Sequence, residues 1–176
     1  MIKELFRYFA AFVPLKALEK TFQLPAGKEY QDFRQEIISA ESDRRLDGID
    51  AFILGADQEK LSQRISSVSG TFLFVEYARI TSQINSKTDR QDNRLRVSVT
   101  VAVPEPDNLD LVSCTLNQER CLTLIKSIRT HMRDDDDLKR GIVWMDFPAT
   151  LTVWSSKALA NSHGWSMEFD ILFIEN

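Results

Sequence analysis

The sequence predicts an α+β fold in which a mainly antiparallel, twisted sheet carries one packed helix, with a helical extension at the N-terminus. Apolar and polar residues alternate strictly over 95–103 and nearly so over 165–173, which predicts two half-buried strands. Between them, the segment 118–132 carries an apolar stripe at helical spacing. Because each pattern has one apolar face, we expect the helix to cover the apolar side of both strands.

The N-terminal residues predict helices rather than strands. Apolar side chains recur at helical spacing over 2–13, and Pro14 is expected to end or kink that helix. A second turn or short helix is predicted over 15–22, and a weak helix followed by a loop over 28–50. We expect the first helix to close over the core rather than to lie on a membrane or a partner.

The next segment predicts a helix and then the first long strand. Asp57 stands where an N-cap is expected, a stripe of apolar residues follows, and Gly70 supplies the stop, which together predict a helix over 58–68. Residues 71–81 are rich in β-forming residues and predict a strand that pairs in antiparallel fashion with 95–103.

Residues 82–94 are almost entirely polar and predict a long, flexible loop between these two strands. Hairpin loops usually have about two to five residues, so a loop of this length indicates a use. Lys87, Arg90 and Arg94 are accompanied by two aspartates in the same segment, and this small net charge disfavours nucleic acid. We predict that the loop contacts another protein subunit, and a plain disordered loop remains the alternative.

The C-terminal half predicts the packed helix and the remaining strands. Asn117 is the expected N-cap of the helix over 118–132, which should end near Arg133 because the aspartates at 134–137 oppose the negative end of the helix dipole. Those aspartates lack the glycine and glutamate of a calcium-binding loop, so we expect a solvated loop. Strands are predicted over 142–147, 149–156 and 165–173.

Composition narrows the class of protein. The formal net charge of −4 disfavours a broad nucleic-acid surface, and no segment matches a signal peptide or a membrane-spanning helix. Cys114 and Cys121 lack a CxxC spacing, which predicts free thiols in a reducing, cytoplasmic setting. No repeat or glycine-rich linker appears, so we predict an N-terminal helical extension, residues 1–50, and one α+β domain, residues 51–176.

Motifs that would support chemistry are absent from the sequence. His131 and His163 are isolated, no GxSxG elbow is present, and neither of the common phosphate-binding glycine motifs occurs. An enzyme with a dispersed site would need a cleft that holds one of the histidines beside acidic groups. We therefore predict a non-enzymatic protein with no catalytic residue, no metal site and no cofactor.

From residue 51 onward the predicted order is a helix, a long two-stranded hairpin, a second helix, and two or three strands, the last carrying HGWSMEFDILF. This order and closing phrase resemble the tail-terminator and tail-completion proteins of tailed bacteriophages and related contractile particles, over roughly residues 55–176. The resemblance implies a structural subunit that assembles into a ring on the tail tube and is associated with the virion. It also implies that the segment 82–94 lies at a subunit contact.

A second interpretation stays open beside this resemblance. The same sheet would leave an apolar pocket between itself and the N-terminal helix, lined by phenylalanines, which is typical of a small-ligand or protein-binding module of unassigned role.

Overall fold

The computed structural model describes four helices and six strands. The helices are Ile2–Ala10 (α1), Leu15–Thr21 (α2), Gly27–Ser39 (α3) and Leu111–Asp134 (α4). The strands are Ala51–Gly55 (β1), Phe72–Asn85 (β2), Arg90–Pro104 (β3), Val143–Met145 (β4), Thr152–Ser156 (β5) and Ser162–Ile174 (β6). The residues that the structure describes are 2–22, 27–56, 68–85, 90–106, 110–135, 143–145, 150–157, 159 and 161–174.

The strands form one mixed, mostly antiparallel sheet in the order β1-β2-β3-β6-β4. β5 pairs with residues 162–166 of β6, whereas β4 pairs with residues 171–173 of the same strand. β1 runs parallel to β2, and the other pairs are antiparallel. The predicted α+β class is therefore confirmed, as are the strands near 142–147, 149–156 and 165–173. The short apolar run at 51–54 forms β1, a strand that the sequence pattern alone does not predict.

The main core lies between α4 and the sheet, as the alternating patterns predict. In β3 the side chains of Val97, Val99 and Val101 are fully buried, and Met167 of β6 joins them. The helix stripe is buried against this face through Cys121, Leu124, Ile125, Ile128 and Met132. Burial of a side chain of this size stabilises a fold by about 1.5 to 3 kcal/mol. This interface is therefore a large share of what holds the protein together.

The N-terminal helices close over the same core. Phe9 and Phe12 are almost fully buried, and they contact Phe169 of β6 and His131 of α4 at ring-centroid distances of 6.5 and 5.8 Å. Pro14 separates α1 from α2, as expected from its fixed backbone angle and missing N–H. The first helix thus packs over the core as predicted, while the division of the chain after residue 50 stays a prediction.

The start of α4 differs from the prediction. The helix begins at Leu111, and Asn117 lies inside it rather than at its cap. Asp110 is the N-cap, since its Oδ1 accepts hydrogen bonds from the backbone N–H groups of Val112 and Ser113 at 2.9 and 3.0 Å. The Ser113 hydroxyl also donates to Asp110, and these bonds lower the pKa of that carboxyl. The apolar pattern does not reveal this start, because the first turns of the helix lack a buried stripe.

The predicted loop at 82–94 is also wrong in its extent. β2 and β3 stay paired from Ile80↔Leu95 to Asn85↔Arg90, so most of this segment is strand. β6 continues beside β3 as far as Asp92↔Ile174, which gives the polar part of the hairpin a further partner. Backbone hydrogen bonds stabilise these strands where apolar burial does not, which is why polarity alone suggested a loop.

The end of α4 agrees with the prediction, but the start of the acidic run does not. The helix ends at Asp134, close to the expected Arg133. Asp135 is buried rather than solvated, because it pairs with Arg44 from the loop after α3.

The rest of the aspartate run lies outside the described residues, as do Lys87 and residues 58–67 of the helix predicted over 58–68. Among the described helices, none is long and apolar enough to cross a membrane.

Candidate functional site

The second half of β2 lies at an edge of the sheet that the described residues form. β1 pairs with β2 only from Ala51↔Phe72 to Gly55↔Glu76. From Tyr77 to Asn85, β2 therefore has a strand on one side, β3, and no described strand on the other. Such an edge presents unpaired N–H and C=O groups, which are a template for a strand from another chain. We call this stretch, residues 77–85, the open edge.

A bulge marks the beginning of the open edge. The register with β3 shifts between Tyr77 and Ile80, and the intervening Ala78 and Arg79 are both exposed. Ile80 is 51% exposed, which is unusual for a large apolar side chain in a strand. Bulges and charged side chains commonly prevent unwanted pairing at sheet edges. Here the bulge and Arg79 lie at one end of the open edge, and the apolar Ile80 follows directly.

The three predicted contact residues do not share one loop. Arg90 lies in β3 opposite Asn85, and Arg94 lies in β3 opposite Thr81 of the open edge. Arg94 is half-buried, and Leu172 of β6 is its partner on the other side. Lys87 falls outside the described residues. Arg90 and Arg94 are thus next to the open edge, on the strand behind it, and their contact with another subunit stays a prediction.

The opposite side of the sheet also has an exposed strand. β5 pairs with β6, and no described strand lies on its other side. Val153 of β5 is 67% exposed, and Thr152 and Ser155 are exposed beside it. Within the described chain, the sheet therefore has an accessible strand at each of its two edges. Two different surfaces of this kind permit head-to-tail association of identical subunits.

A second feature is a cavity of about 840 Å³ between β1 and the three N-terminal helices. Phe6 in its lining contacts three other rings, with centroid distances of 4.9 Å to Phe52, 5.3 Å to Phe33 and 5.7 Å to Phe22. The Thr21 hydroxyl donates to the backbone carbonyl of Phe52 at 3.0 Å and so ties α2 to β1. This is the phenylalanine-lined pocket that the binding-module interpretation expects.

The groups with potential for chemistry are dispersed. His131 packs near Phe12, while His163 lies in β6 opposite Val103. Within the described residues, no three side chains from His, Cys, Asp and Glu are grouped to hold a metal ion. Neither Cys114 nor Cys121 forms a disulfide. Burial raises the pKa of the Cys121 thiol to about 12, so this thiol is a poor nucleophile at neutral pH.

Comparisons with known proteins add no assignment. No protein-family model matches the chain, and a search of curated proteins finds no relative. Any function must therefore be argued from the open edge, the cavity and the sequence resemblance.

Proposed function

We propose that this protein is a non-enzymatic assembly subunit of a phage-like tail, in which the open edge of β2 pairs with a neighbouring copy to build a ring of the tail-terminator kind. The observation that carries the proposal is that residues 77–85 pair with β3 on one side and with no strand of the described residues on the other. The resemblance in element order points to the same class of protein. On this proposal the partners are protein subunits, and assembly takes place in the cytoplasm before the subunit joins the particle.

The geometry of the two sides of the sheet supports ring formation. Nine residues of strand span about 30 Å, which is enough for several backbone hydrogen bonds to one neighbour. The exposed β5 on the other side of the sheet supplies a different surface for the next copy. A contact between unlike surfaces repeats around a circle when the rotation closes, and closure would stop further growth.

Lysine at position 80 should weaken this association. Ile80→Lys places a charge on the open edge, where pairing with another strand would remove it from water. We expect the dissociation constant between copies to rise at least about tenfold, as is usual when a charge is buried without a partner. Size-exclusion chromatography with light scattering, over a range of protein concentrations, measures this shift.

Leu15→Lys is the matched control for that experiment. Leu15 is 42% exposed and belongs to α2 rather than to the edge, so lysine there introduces the same charge at a similarly exposed apolar position. The wild type and Leu15→Lys should assemble alike. A wild type that stays monomeric at high concentration contradicts the assembly function, whereas assembly that is equal in all three proteins contradicts only the role of the edge.

One observation favours a second function, the binding of an apolar ligand. It is the cavity between β1 and the N-terminal helices, whose walls include Phe6, Phe22, Phe33 and Phe52. Its volume is within the range of about 300 to 1,000 Å³ that is typical of small-molecule sites. The cavity and the open edge are separate surfaces, so the two functions do not exclude each other.

A further inference from the structure

We infer that the cavity beside β1 takes an amphiphilic anion, a molecule with an aliphatic or aromatic body and one negatively charged head group. This inference rests on the second proposed function, ligand binding, and is independent of assembly. It names what the cavity would recognise.

The walls of the cavity suit the apolar body. Phe52 and Ile53 of β1 line the strand side of the cavity, and both side chains are almost fully buried, at 2% and 6% exposure. Phe22 follows α2 and Phe33 belongs to α3, and their ring centroids are 6.5 Å apart. Ring distances of about 4.5 to 7 Å are those of favourable aromatic pairs, so the wall is preorganised and needs little rearrangement to receive an apolar group.

Lys20 supplies the recognition of a negative head group. It lines the cavity, is exposed, and forms no ion pair with any residue that the structure describes. The nearby cations of α1 are already engaged, since Lys3 pairs with Glu29 and Arg7 pairs with Glu36. Lys20 is therefore the cation that the described lining leaves available for a ligand.

Asp50 is the carboxylate among the described lining residues, and it has a different task. Its Oδ2 accepts a hydrogen bond from the backbone N–H of Thr71 at 2.9 Å, which fixes the turn that leads into β2. This bond engages one oxygen of the carboxylate, whereas Lys20 forms no ion pair within the described chain. The ammonium group of Lys20 is thus the charged group of the described lining that has no protein partner in the described chain, and an anionic head group would pair with it.

Calorimetric titration of the full chain with two matched probes tests the inference. Decanoate and decylammonium share one alkyl chain and differ in the sign of the head group. We expect decanoate to bind at one site and more tightly than decylammonium. Lys20→Met should weaken decanoate binding about two- to fivefold, as is usual for an exposed ion pair, and should reduce its salt dependence.

Lys16→Met is the control for loss of a charge. Lys16 is also an exposed lysine of α2 without an ion pair among the described residues, but it does not line the cavity. Decanoate binding should be the same in Lys16→Met as in the wild type. Ser69→Trp is the control for location, because Ser69 is an exposed lining residue and a large ring there should block both probes. Its fold is checked by circular dichroism and thermal unfolding.

The outcomes separate the inference from the function on which it rests. Equal binding of both probes, or equal decanoate affinity in Lys20→Met and Lys16→Met, overturns the anion preference while ligand binding stands. No binding of either probe by the wild type overturns both. Binding that a correctly folded Ser69→Trp retains, but that Leu116→Ser on the exposed first turns of α4 removes, places the probe on that surface and also overturns the inference.

Discussion

Arg44→Met is expected to lower the free energy of unfolding by about 3 kcal/mol, as found when one partner of a buried ion pair is removed. Arg44 Nη1 lies 2.5 Å from Asp135 Oδ2, and the Asp135 side chain is only 3% exposed. The substitution would leave that carboxylate in a poorly solvated position without its main countercharge. Arg44 itself is 31% exposed, so we place the loss at the lower end of the usual range. Chemical denaturation measures it.

Arg133→Met is the matched control, because Arg133 pairs with Asp134 and both side chains are 61% exposed. Its loss should cost no more than about 1 kcal/mol, the value for surface pairs. The double variant Arg44→Met/Asp135→Asn should recover part of the stability, because it also removes the negative charge of the buried Asp135 side chain. Equal destabilisation by the two single variants would show that the buried pair does not hold the N-terminal segment to the end of α4.

Tyr8 lies beside the Arg44–Asp135 pair and adds to the expected effect of replacing Arg44. Burial raises the pKa of the Tyr8 hydroxyl, and the negative charge of Asp135 raises it further. The tyrosine is therefore neutral throughout the ordinary pH range. The Arg44 guanidinium is also 5.9 Å from the centre of the Tyr8 ring, within reach of a cation–π contact. Arg44 thus stabilises two neighbours, one by charge and one through the face of a ring.

Gly164→Ala is expected to lower the free energy of unfolding by about 3 kcal/mol, the upper end of the usual cost of overpacking. A Cβ at this position would lie 2.0 Å from the backbone oxygen of Val101 and 2.6 Å from the Cα of Ala102. These are backbone atoms of β3, so no side-chain rotation relieves the clash. β3 and β6 would have to separate where Ala102 pairs with Gly164. Thermal and chemical unfolding both measure the loss.

Gly27→Ala provides the comparison for Gly164→Ala. No atom of the described residues lies within 4 Å of a Cβ at Gly27, but its φ is +75°, a conformation that disfavours residues with a side chain. The cost should be about 1 kcal/mol, from backbone conformation alone. If Gly164→Ala proves no more damaging than Gly27→Ala, then the close approach of β3 and β6 does not limit the stability of the sheet.

The sequence predicts those parts of the fold in which buried residues recur at the regular spacing of a strand or a helix. Val97, Val99 and Val101 alternate with polar residues, so both the strand and its buried face could be read directly. The stripe from Cys121 to Met132 has helical spacing for the same reason. Because the strand and the helix share one core, the packing of α4 on the sheet followed from the two patterns together.

The parts that sequence reasoning missed depend on contacts distant in the chain. The polar strands around Asn85 and Arg90 are defined by backbone pairing, which leaves no apolar pattern. Asp135 resembles its acidic neighbours until Arg44, 91 positions away, comes beside it. The open edge exists because β1 is much shorter than β2, and the early end of the apolar run at Gly55 is the one sequence signal that bears on it.

Hydrogen–deuterium exchange along β2 tests the central claim, that the open edge joins one copy to the next. The amides of residues 77–85 should become more protected as protein concentration rises into the range where copies assemble, because an added strand would engage their N–H groups. Exchange in α3, residues 27–39, should stay constant over the same range. Unchanged exchange along 77–85 in a protein that demonstrably assembles would contradict the claim.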